Sequence, residues 1–175
     1  MDASSQFKDK LPTTPEMLMA VLDDLDISYR IFNHPPLRTV EDSKEFRDGM
    51  VGAHAKNLYL RDRKKRNFLL VAQEDRPIDL KTIPADLGAD RLSFGSADRL
   101  FEMLGVRPGA VSPFTIINDQ DHKVKLCIDA ELLRAEMLYF HPLVNDMTLG
   151  VTPQALRDFI AHVGHEVNEI ELSAS

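Results

Sequence analysis

Apolar residues recur along the chain at two different spacings, and the two alternate from one short segment to the next. Residues 14–25 begin with a Thr-Pro pair, which suits a helix start, and then place an apolar side chain every three or four positions. Residues 53–60 and 68–72 are strand-like runs on either side of a charged tip, which predicts a β-hairpin. We therefore expect an α+β fold, with a single domain whose mixed, mostly antiparallel curved sheet is surrounded by helices.

Hydroxyl residues mark the starts of four predicted helices, because their side chains can accept hydrogen bonds from the first free N–H groups. These residues are Thr14, Thr39, Ser96 and Thr152. Shorter helices are predicted over residues 79–87 and 130–135, the second of them capped by Asp129. Strands outside the hairpin are predicted over residues 29–34, 91–95, 114–118, 123–128, 137–140, 147–151 and 166–172.

Composition narrows the class of protein. The chain has 175 residues, which favours one domain, and it holds no apolar run of the roughly 20 residues that a membrane-spanning helix needs. Residues 1–12 are polar and predict a flexible tail, which leaves residues 13–173 as the folded domain. Cys127 is the single cysteine, so an intrachain disulfide is excluded and a cytoplasmic location is expected.

The net charge of −7 argues against a broad basic face for nucleic acid, and no DNA partner is expected. The distribution is uneven, however, because residues 61–66 carry five positive charges in six positions. This run is either a solvated hairpin tip or a local contact site for phosphates, and the sequence alone leaves both open. Its candidate tRNA-binding residues are Arg63, Lys64, Lys65 and Arg66.

Two glycines and two prolines fall within residues 105–113. Such a cluster is primarily a turn signal. It also lets the backbone between Gly109 and Pro113 approach a ligand and direct free N–H groups at it. These groups could hold a carbonyl oxygen that becomes negative during acyl transfer. The turn and the ligand loop remain alternatives at this point.

Single side chains give further candidates for chemistry. Lys56 is in phase with the apolar residues of its strand, so it either reaches solvent at the sheet edge or serves as a cation in a cleft. His141 follows a strand and is either a loop histidine or a site residue. Cys127 lies between apolar neighbours, which favours packing over nucleophilic chemistry. Metal-ligand spacings, phosphate-binding loops and serine-hydrolase motifs are absent from the sequence.

Five segments in fixed order give the chain a family resemblance. They are His34-Pro35-Pro36-Leu37-Arg38-Thr39-Val40-Glu41, Lys56-Asn57-Leu58, Gly109-Ala110-Val111-Ser112-Pro113, His141-Pro142-Leu143-Val144-Asn145 and Thr148. In these segments the chain resembles the free-standing YbaK-like aminoacyl-tRNA deacylases, of the type similar to the editing domain inserted in bacterial prolyl-tRNA synthetase. Within that family it looks most like the alanyl-tRNA(Pro) deacylase group.

The resemblance implies hydrolysis of the ester that joins a wrong amino acid to the 3′-terminal adenosine of tRNA(Pro), without a cofactor. It implies that Lys56 lies near the substrate backbone, that Gly109 to Pro113 line the ester carbonyl, and that His141 shapes the amino-acid pocket. By the same resemblance Asp129 lies close by, and substrate-binding roles fall to His34, Ala110, Val111, Ser112, Asn145 and Thr148.

The chain offers no evident pair of nucleophile and base, which favours direct attack by water, assisted by the vicinal ribose hydroxyl. Partners implied are the acceptor end of aminoacyl-tRNA(Pro) and possible delivery by prolyl-tRNA synthetase or an elongation factor. Two rival functions stay open: a Cys-tRNA(Pro) deacylase, and a module that binds acylated tRNA without hydrolysing it.

Overall fold

The strand order explains where the chain can form a site. In the computed structural model, which describes residues 1–172, eight strands form one sheet in the order β1-β7-β6-β2-β3-β5-β8, with β4 beside β2. The strands are β1 (Arg30–Asn33), β2 (Ala53–Asp62), β3 (Asn67–Gln73), β4 (Leu92–Phe94), β5 (Val124–Asp129), β6 (Leu138–Phe140), β7 (Met147–Val151) and β8 (Asn168–Ile170). Four pairings are antiparallel and three, β2–β6, β3–β5 and β5–β8, are parallel, which confirms the mixed α+β fold.

Five α-helices lie around this sheet within residues 1–172. They are α1 (Pro15–Asp24), α2 (Val40–Lys44), α3 (Ile83–Leu87), α4 (Ala97–Leu104) and α5 (Pro153–His162), and 3-10 helices cover Ser5–Lys10, Pro113–Asn118 and Leu132–Arg134. The four predicted caps are confirmed, since each hydroxyl accepts a backbone N–H in the first turn of its helix.

Both faces of the central strands are buried, which is why β3 reads as a continuous apolar run. Leu69 and Val71 face the larger core, which contains Phe114 and Phe159. Phe68, Leu70 and Ala72 face a second core under α3, and Cys127 from β5 belongs to that one.

The predicted strand over residues 114–118 is wrong, because this segment is a 3-10 helix. Ser112 supplies the physical reason. Its hydroxyl accepts the N–H of Phe114 at 3.2 Å, and its carbonyl accepts the N–H of Thr115 at 3.0 Å. Pro113 sets the backbone angle of the first residue, so local capping outweighs the strand preference of the isoleucines.

The predicted flexible tail over residues 1–12 is also not what the structure shows. Ala3 and Ser4 are buried, and the carbonyl of Ala3 accepts the N–H of Asn145 at 2.8 Å. Asp146 accepts both the N–H and the hydroxyl of Ser5, at 3.0 and 2.6 Å. The segment is thus packed on the loop between β6 and β7. At the other end, Ser173, the last residue of the predicted domain, lies outside the described residues.

β2 is the longest strand and contacts different partners along its two edges. One edge pairs with β3 from Ala55 to Arg61. The other edge pairs with β6 at Ala53 and His54, and with β4 only from Leu60 onwards. Between these two pairings β2 and β6 diverge, which leaves residues 55–59 without a strand partner on that edge. This divergence creates the opening described next.

Candidate active site

A cavity of about 290 Å³ lies where β2 and β6 separate. It is closed on a third side by the segment that leads from His34 through α2 to Met50. Six residues expected from the sequence line it, namely His34, Lys56, Gly109, Val111, His141 and Thr148. These residues come from four separate stretches of the chain, and the fold brings them to one place.

Lys56 reaches the cavity from the edge of the second core. Its Nζ donates a hydrogen bond to the backbone carbonyl of Arg76, and partial burial lowers the pKa of its ammonium group. Within residues 1–172 Lys56 forms no ion pair with a carboxylate. A cation without a carboxylate partner is available to a negative or polarised group of a ligand.

Two histidines and a threonine form a hydrogen-bonded chain in the cavity wall. Nδ1 of His141 lies 2.7 Å from the carbonyl oxygen of Met147, and Nδ1 of His34 lies 2.9 Å from the carbonyl oxygen of Pro35. A carbonyl can only accept, so Nδ1 carries a proton in each ring, and Nε2 of the uncharged His141 keeps its lone pair. The hydroxyl of Thr148 is hydrogen-bonded to Nε2 of His34 at 2.8 Å.

His141 is held in its uncharged form. Burial lowers its pKa, and the neighbouring His34, whose ring centre is 5.7 Å away, acts in the same direction. Its Nε2 keeps a lone pair that no described residue uses. The wall of the cavity at His141 is therefore polar but neutral at pH 7.

The loop at Gly109 has the conformation that a glycine permits. Its φ is +99°, and a Cβ at this position would lie 3.3 Å from Nδ2 of Asn145. The N–H of Ala110 is used in a turn to Arg107, but within residues 1–172 the N–H groups of Gly109 and Val111 have no acceptor. Two free N–H groups at a cavity wall can stabilise an oxyanion.

Four other residues expected at the site lie outside the cavity wall. Ala110 and Ser112 are buried beneath the loop, and Ser112 caps the 3-10 helix. Asn145 is buried and joins three segments: its side chain donates to the carbonyl of Leu37 at 2.9 Å, and its backbone holds Ala3 and Leu37. These contacts fix the loops that carry His34 and Gly109, so the three residues support the site.

Asp129 is buried under β3 in an ion pair. Its Oδ2 accepts from Nε of Arg76 at 3.0 Å, and the same arginine contacts Glu131 at 2.6 Å. Because Lys56 is bonded to the carbonyl of Arg76, Asp129 is linked to the cavity through that residue.

The sequence reasoning missed several residues of the cavity wall. Arg47 and Glu74 form a bidentate ion pair with both N–O distances at 2.5 Å, which ties the segment after α2 to the end of β3. His54 stacks on Tyr139 at 4.9 Å, and burial lowers the pKa of His54. The two partners in each pair are far apart in sequence, and no local pattern joins them.

Residues 63–66 of the basic run form the turn between β2 and β3, as the hairpin prediction required. Arg63, Lys64, Lys65 and Arg66 are exposed, and Arg66 bonds to the buried carboxylate of Asp62 at 2.7 Å. The separation of seven positions between Lys56 and Arg63 corresponds to about 23 Å along an extended strand. The turn is therefore remote from the cavity.

Cys127 lies fully buried in the second core, and burial raises the pKa of its thiol to about 11. The thiolate is the reactive form, so this residue packs and does not act as a nucleophile at neutral pH. Among residues 1–172, no helix is long and apolar enough to cross a membrane.

Comparison with known proteins identifies the class. The profile of the aminoacyl-tRNA editing domain matches residues 34–159. The prolyl-tRNA editing protein ProX of Acetoanaerobium sticklandii is 36% identical over 90% of this chain and 96% of its own length. The prolyl-tRNA synthetase associated domain-containing protein 1 of Xenopus laevis is 36% identical over 85% of this chain and 91% of its own.

A solved structure of a proposed trans-editing enzyme for prolyl tRNA synthetase superposes with a TM-score of 0.62 at 18% identity. It covers 83% of this chain and 87% of that chain, and it supports the fold. The chain belongs to the aminoacyl-tRNA editing domain family. As a member of that family it is a hydrolase of the aminoacyl-tRNA ester bond.

Proposed function

We propose that the protein hydrolyses Ala-tRNA(Pro), the product of a prolyl-tRNA synthetase that has charged alanine by mistake. The observation that carries the proposal is the single small cavity in which Lys56, the free N–H groups at Gly109 and Val111, and two histidines meet. The names of the relatives support tRNA(Pro) as the tRNA of the substrate, since the relative ProX is a prolyl-tRNA editing protein.

The reaction we propose is direct attack of water on the ester carbonyl, assisted by the vicinal ribose hydroxyl. The carbonyl oxygen becomes negative in the tetrahedral intermediate and accepts hydrogen bonds from the N–H groups of Gly109 and Val111. Lys56 adds a positive charge near the same substrate atoms. Collapse of the intermediate releases alanine and leaves the ribose hydroxyl free.

Asp129 has a positioning role in this scheme. It holds the guanidinium of Arg76, while the carbonyl of Arg76 accepts the hydrogen bond from Lys56. The ion pair therefore keeps the acceptor for Lys56 in place. This explains how a buried carboxylate outside the cavity can matter to catalysis.

Selection of alanine follows from size and charge. The uncharged ring of His141 narrows the pocket without repelling the α-ammonium group of the amino acid. A hydrophobic pocket distinguishes substrates that differ by one methylene by only about 1–3 kcal/mol, so a synthetase admits alanine into a proline pocket. A second, smaller pocket that excludes proline removes the error.

The structure also offers an alternative nucleophile, because the hydroxyl of Thr148 is bonded to His34 at 2.8 Å. A covalent route would transfer the alanyl group to Oγ1 of Thr148 before water releases it. Thr148→Val keeps the shape of the side chain and removes the hydroxyl. Under direct water attack this variant should lose less than about 100-fold in turnover, the low end of what a single acid–base group contributes.

Deacylation of Ala-, Cys- and Pro-tRNA(Pro), measured side by side with the purified protein, tests the proposal. We expect fast hydrolysis of the alanyl ester and survival of the prolyl ester. Preferential hydrolysis of Cys-tRNA(Pro) would instead support the cysteinyl branch. Binding of acylated tRNA without hydrolysis of any of the three would support a carrier module. The proposal places the protein in the cytoplasm, where aminoacyl-tRNA is made, with the acceptor end delivered by prolyl-tRNA synthetase or an elongation factor.

A further inference from the structure

A second depression lies beside the edge strand β4, at the end of β2 that is remote from the cavity. Its volume is about 260 Å³, and it is bordered by Arg61, Lys65, Phe94 and Arg99. We call these four residues the β4 surface. The depression belongs to no part of the reaction described above.

Phe94 is the unusual member of the β4 surface. It is 65% exposed, although a phenyl ring on a strand is normally covered. Phe101, the other exposed phenylalanine, has the guanidinium of Arg107 above its ring at 5.5 Å. Within residues 1–172, no ring or guanidinium is stacked on Phe94. Its face is available to a partner.

Two of the three cations of the β4 surface have no acidic partner within residues 1–172, whereas Arg99 contacts Glu102 at 3.2 Å and Asp62 in the same depression is paired with Arg66 at 2.7 Å. Arg61 has a buried Nε without a hydrogen-bond partner in the described chain, and Lys65 contacts no carboxylate there. Arg63 and Lys64 of the adjoining turn are exposed and equally unpaired among residues 1–172. Elsewhere many surface cations are neutralised, as in Arg134–Glu171 at 2.7 Å and Arg157–Glu169 at 3.1 Å. In a chain of net charge −7, this is a local concentration of free positive charge.

Phe94 and Lys56 lie on one face of the sheet, with Leu58 of the second core between them, whereas Arg61 lies on the opposite face. Phe94 lies opposite Leu60 in the antiparallel pair β2–β4, so the two side chains share a face of the sheet. Lys56 lies on that same face because it is an even number of residues from Leu60. The separation along β2 is four residues, which corresponds to about 13 Å.

We propose that the β4 surface binds the single-stranded acceptor end of the tRNA, with an unpaired base stacked on Phe94 and the flanking phosphates near Arg61, Lys65 and Arg99. Unpaired bases are held on aromatic rings in a sequence-tolerant way, and cations follow the backbone. The nucleotide on Phe94 lies upstream of the 3′-terminal adenosine whose ester is at Lys56. This inference rests on the proposed function, since it assigns a position to the substrate of the same site.

The test compares Phe94→Ala with Phe94→Trp, and uses Phe101→Ala as the control for loss of an exposed ring. Affinity for uncharged tRNA(Pro) is measured first, because this measurement needs no hydrolysis. We expect Phe94→Ala to weaken binding about tenfold, within the range for one stacked base, and the other two variants to bind like the wild type. Single-turnover hydrolysis of Ala-tRNA(Pro) should show the same loss in half-saturating concentration, with the saturating rate unchanged.

A minimal substrate, 3′-O-alanyl adenosine, separates the two proposals. It lacks the upstream nucleotide, so Phe94→Ala should hydrolyse it at the wild-type rate. If Phe94→Ala binds tRNA(Pro) with wild-type affinity, the proposed role of the β4 surface in tRNA binding is wrong, whatever the hydrolytic activity of the variant. A wild-type protein that binds tRNA through Phe94 and hydrolyses neither substrate would overturn the proposed function and leave the surface standing.

Discussion

The charged side chains at the two ends of β2 differ in whether neighbouring groups hold them in place. At the cavity end the charged groups are partly buried and held: Arg47 is clamped by Glu74, and Lys56 by the carbonyl of Arg76. At the turn end Arg63 and Lys64 project into solvent and pair with no described carboxylate. A held charge can act on a reacting atom at a fixed distance, whereas a free charge contributes attraction over a range set by salt.

β2 can thus contribute both to the reaction and to ligand attraction, because its neighbours differ between its two ends. β6 pairs with β2 for only two residues and then leaves, which opens the cavity. β4 joins at the opposite end and supports the basic turn. If this assignment is right, substitutions at the cavity end change the chemical rate, and substitutions at the turn end change affinity.

The largest effect is expected for Lys56→Ala. Removing the cation at the cavity should slow single-turnover hydrolysis by about 100-fold or more, because it takes away electrostatic stabilisation of the developing charge. The matched control is Lys64→Ala at the other end of the strand, with folding of both checked by circular dichroism. Equal rates for the two variants would contradict the assignment of the chemical rate to the cavity end of β2 and of affinity to the turn end.

Gly109→Val comes next and tests the backbone donors. Valine tolerates a φ of +99° poorly, and its Cβ would press on Asn145 at 3.3 Å, so the N–H groups at the cavity should be displaced. Loss of one oxyanion donor costs on the order of 10²–10³ in rate.

Gly88→Ala provides the control for backbone strain. Gly88 has a φ of +65°, a Cβ there would make only an ordinary contact with Nζ of Lys125 at 3.8 Å, and the residue lies at the end of α3, away from the cavity. The substitution Gly88→Ala should lower the free energy of unfolding without lowering the rate of hydrolysis. Full activity of Gly109→Val towards Ala-tRNA(Pro) would reduce the loop to a simple turn.

How far the sequence predicted this arrangement depends on whether the signal was local. Caps such as Ser96 and the hairpin around the basic turn follow from neighbouring residues, and the structure confirms them. The 3-10 helix over residues 113–118 shows the limit. Its apolar residues match a strand, and the contacts of Ser112 together with Pro113 decide against it.

Contacts between residues far apart in the chain could not be predicted, because no local sequence pattern joins the two partners. The buried position of Ala3 depends on Asn145 and Asp146, which are more than a hundred residues away. The pair Arg47–Glu74 likewise exists because β2 and β3 bring two loops together. Family resemblance placed Asp129 near the site, but its link through Arg76 needed the structure.

His141→Ala should change selection more than rate. Enlarging the pocket should let Pro-tRNA(Pro) react and reduce the preference for alanine by about 10- to 200-fold, the range expected for one missing contact in a hydrophobic pocket. The ratio of the single-turnover rates on Ala-tRNA(Pro) and Pro-tRNA(Pro) measures this preference. An unchanged ratio would mean that another wall excludes proline.

The pH dependence of the wild type follows from the same residue. Burial puts the pKa of His141 below its ordinary value of 6.5, so the ring is mostly neutral at pH 7 and above. Activity should therefore stay level from pH 8 to 7 and fall at lower pH, as the ring gains charge. Folding stability should follow the same sign, because the unfolded chain binds this proton first and stability is lost as pH falls. A decline in rate that begins above pH 7 would contradict the neutral ring.

Neutralising the turn should affect binding alone. Arg63, Lys64 and Lys65 are replaced together by glutamine, and Arg66 is kept because it organises the turn through Asp62. Affinity for tRNA should fall, and the slope of log affinity against log salt should flatten by about 0.7–0.9 for each lost phosphate contact. The rate at saturating tRNA should remain that of the wild type. An unaltered salt slope would move the acceptor stem to other cations, with Lys44 and Lys81 the next to test.

The smallest effect on activity is expected for Cys127→Ala. The side chain is fully buried beside Leu70 in the second core, so truncation should cost about 1 kcal/mol of unfolding free energy, comparable to a small core deletion. The thiol has a pKa of about 11 and contacts no base among residues 1–172, which leaves the chemical step nearly intact. Thermal melting and single-turnover rate are measured on the same preparation. A lower melting temperature with an unchanged rate supports water attack in the cavity. A lost rate with an unchanged melting temperature would make Cys127 the nucleophile and move the chemistry to the other core.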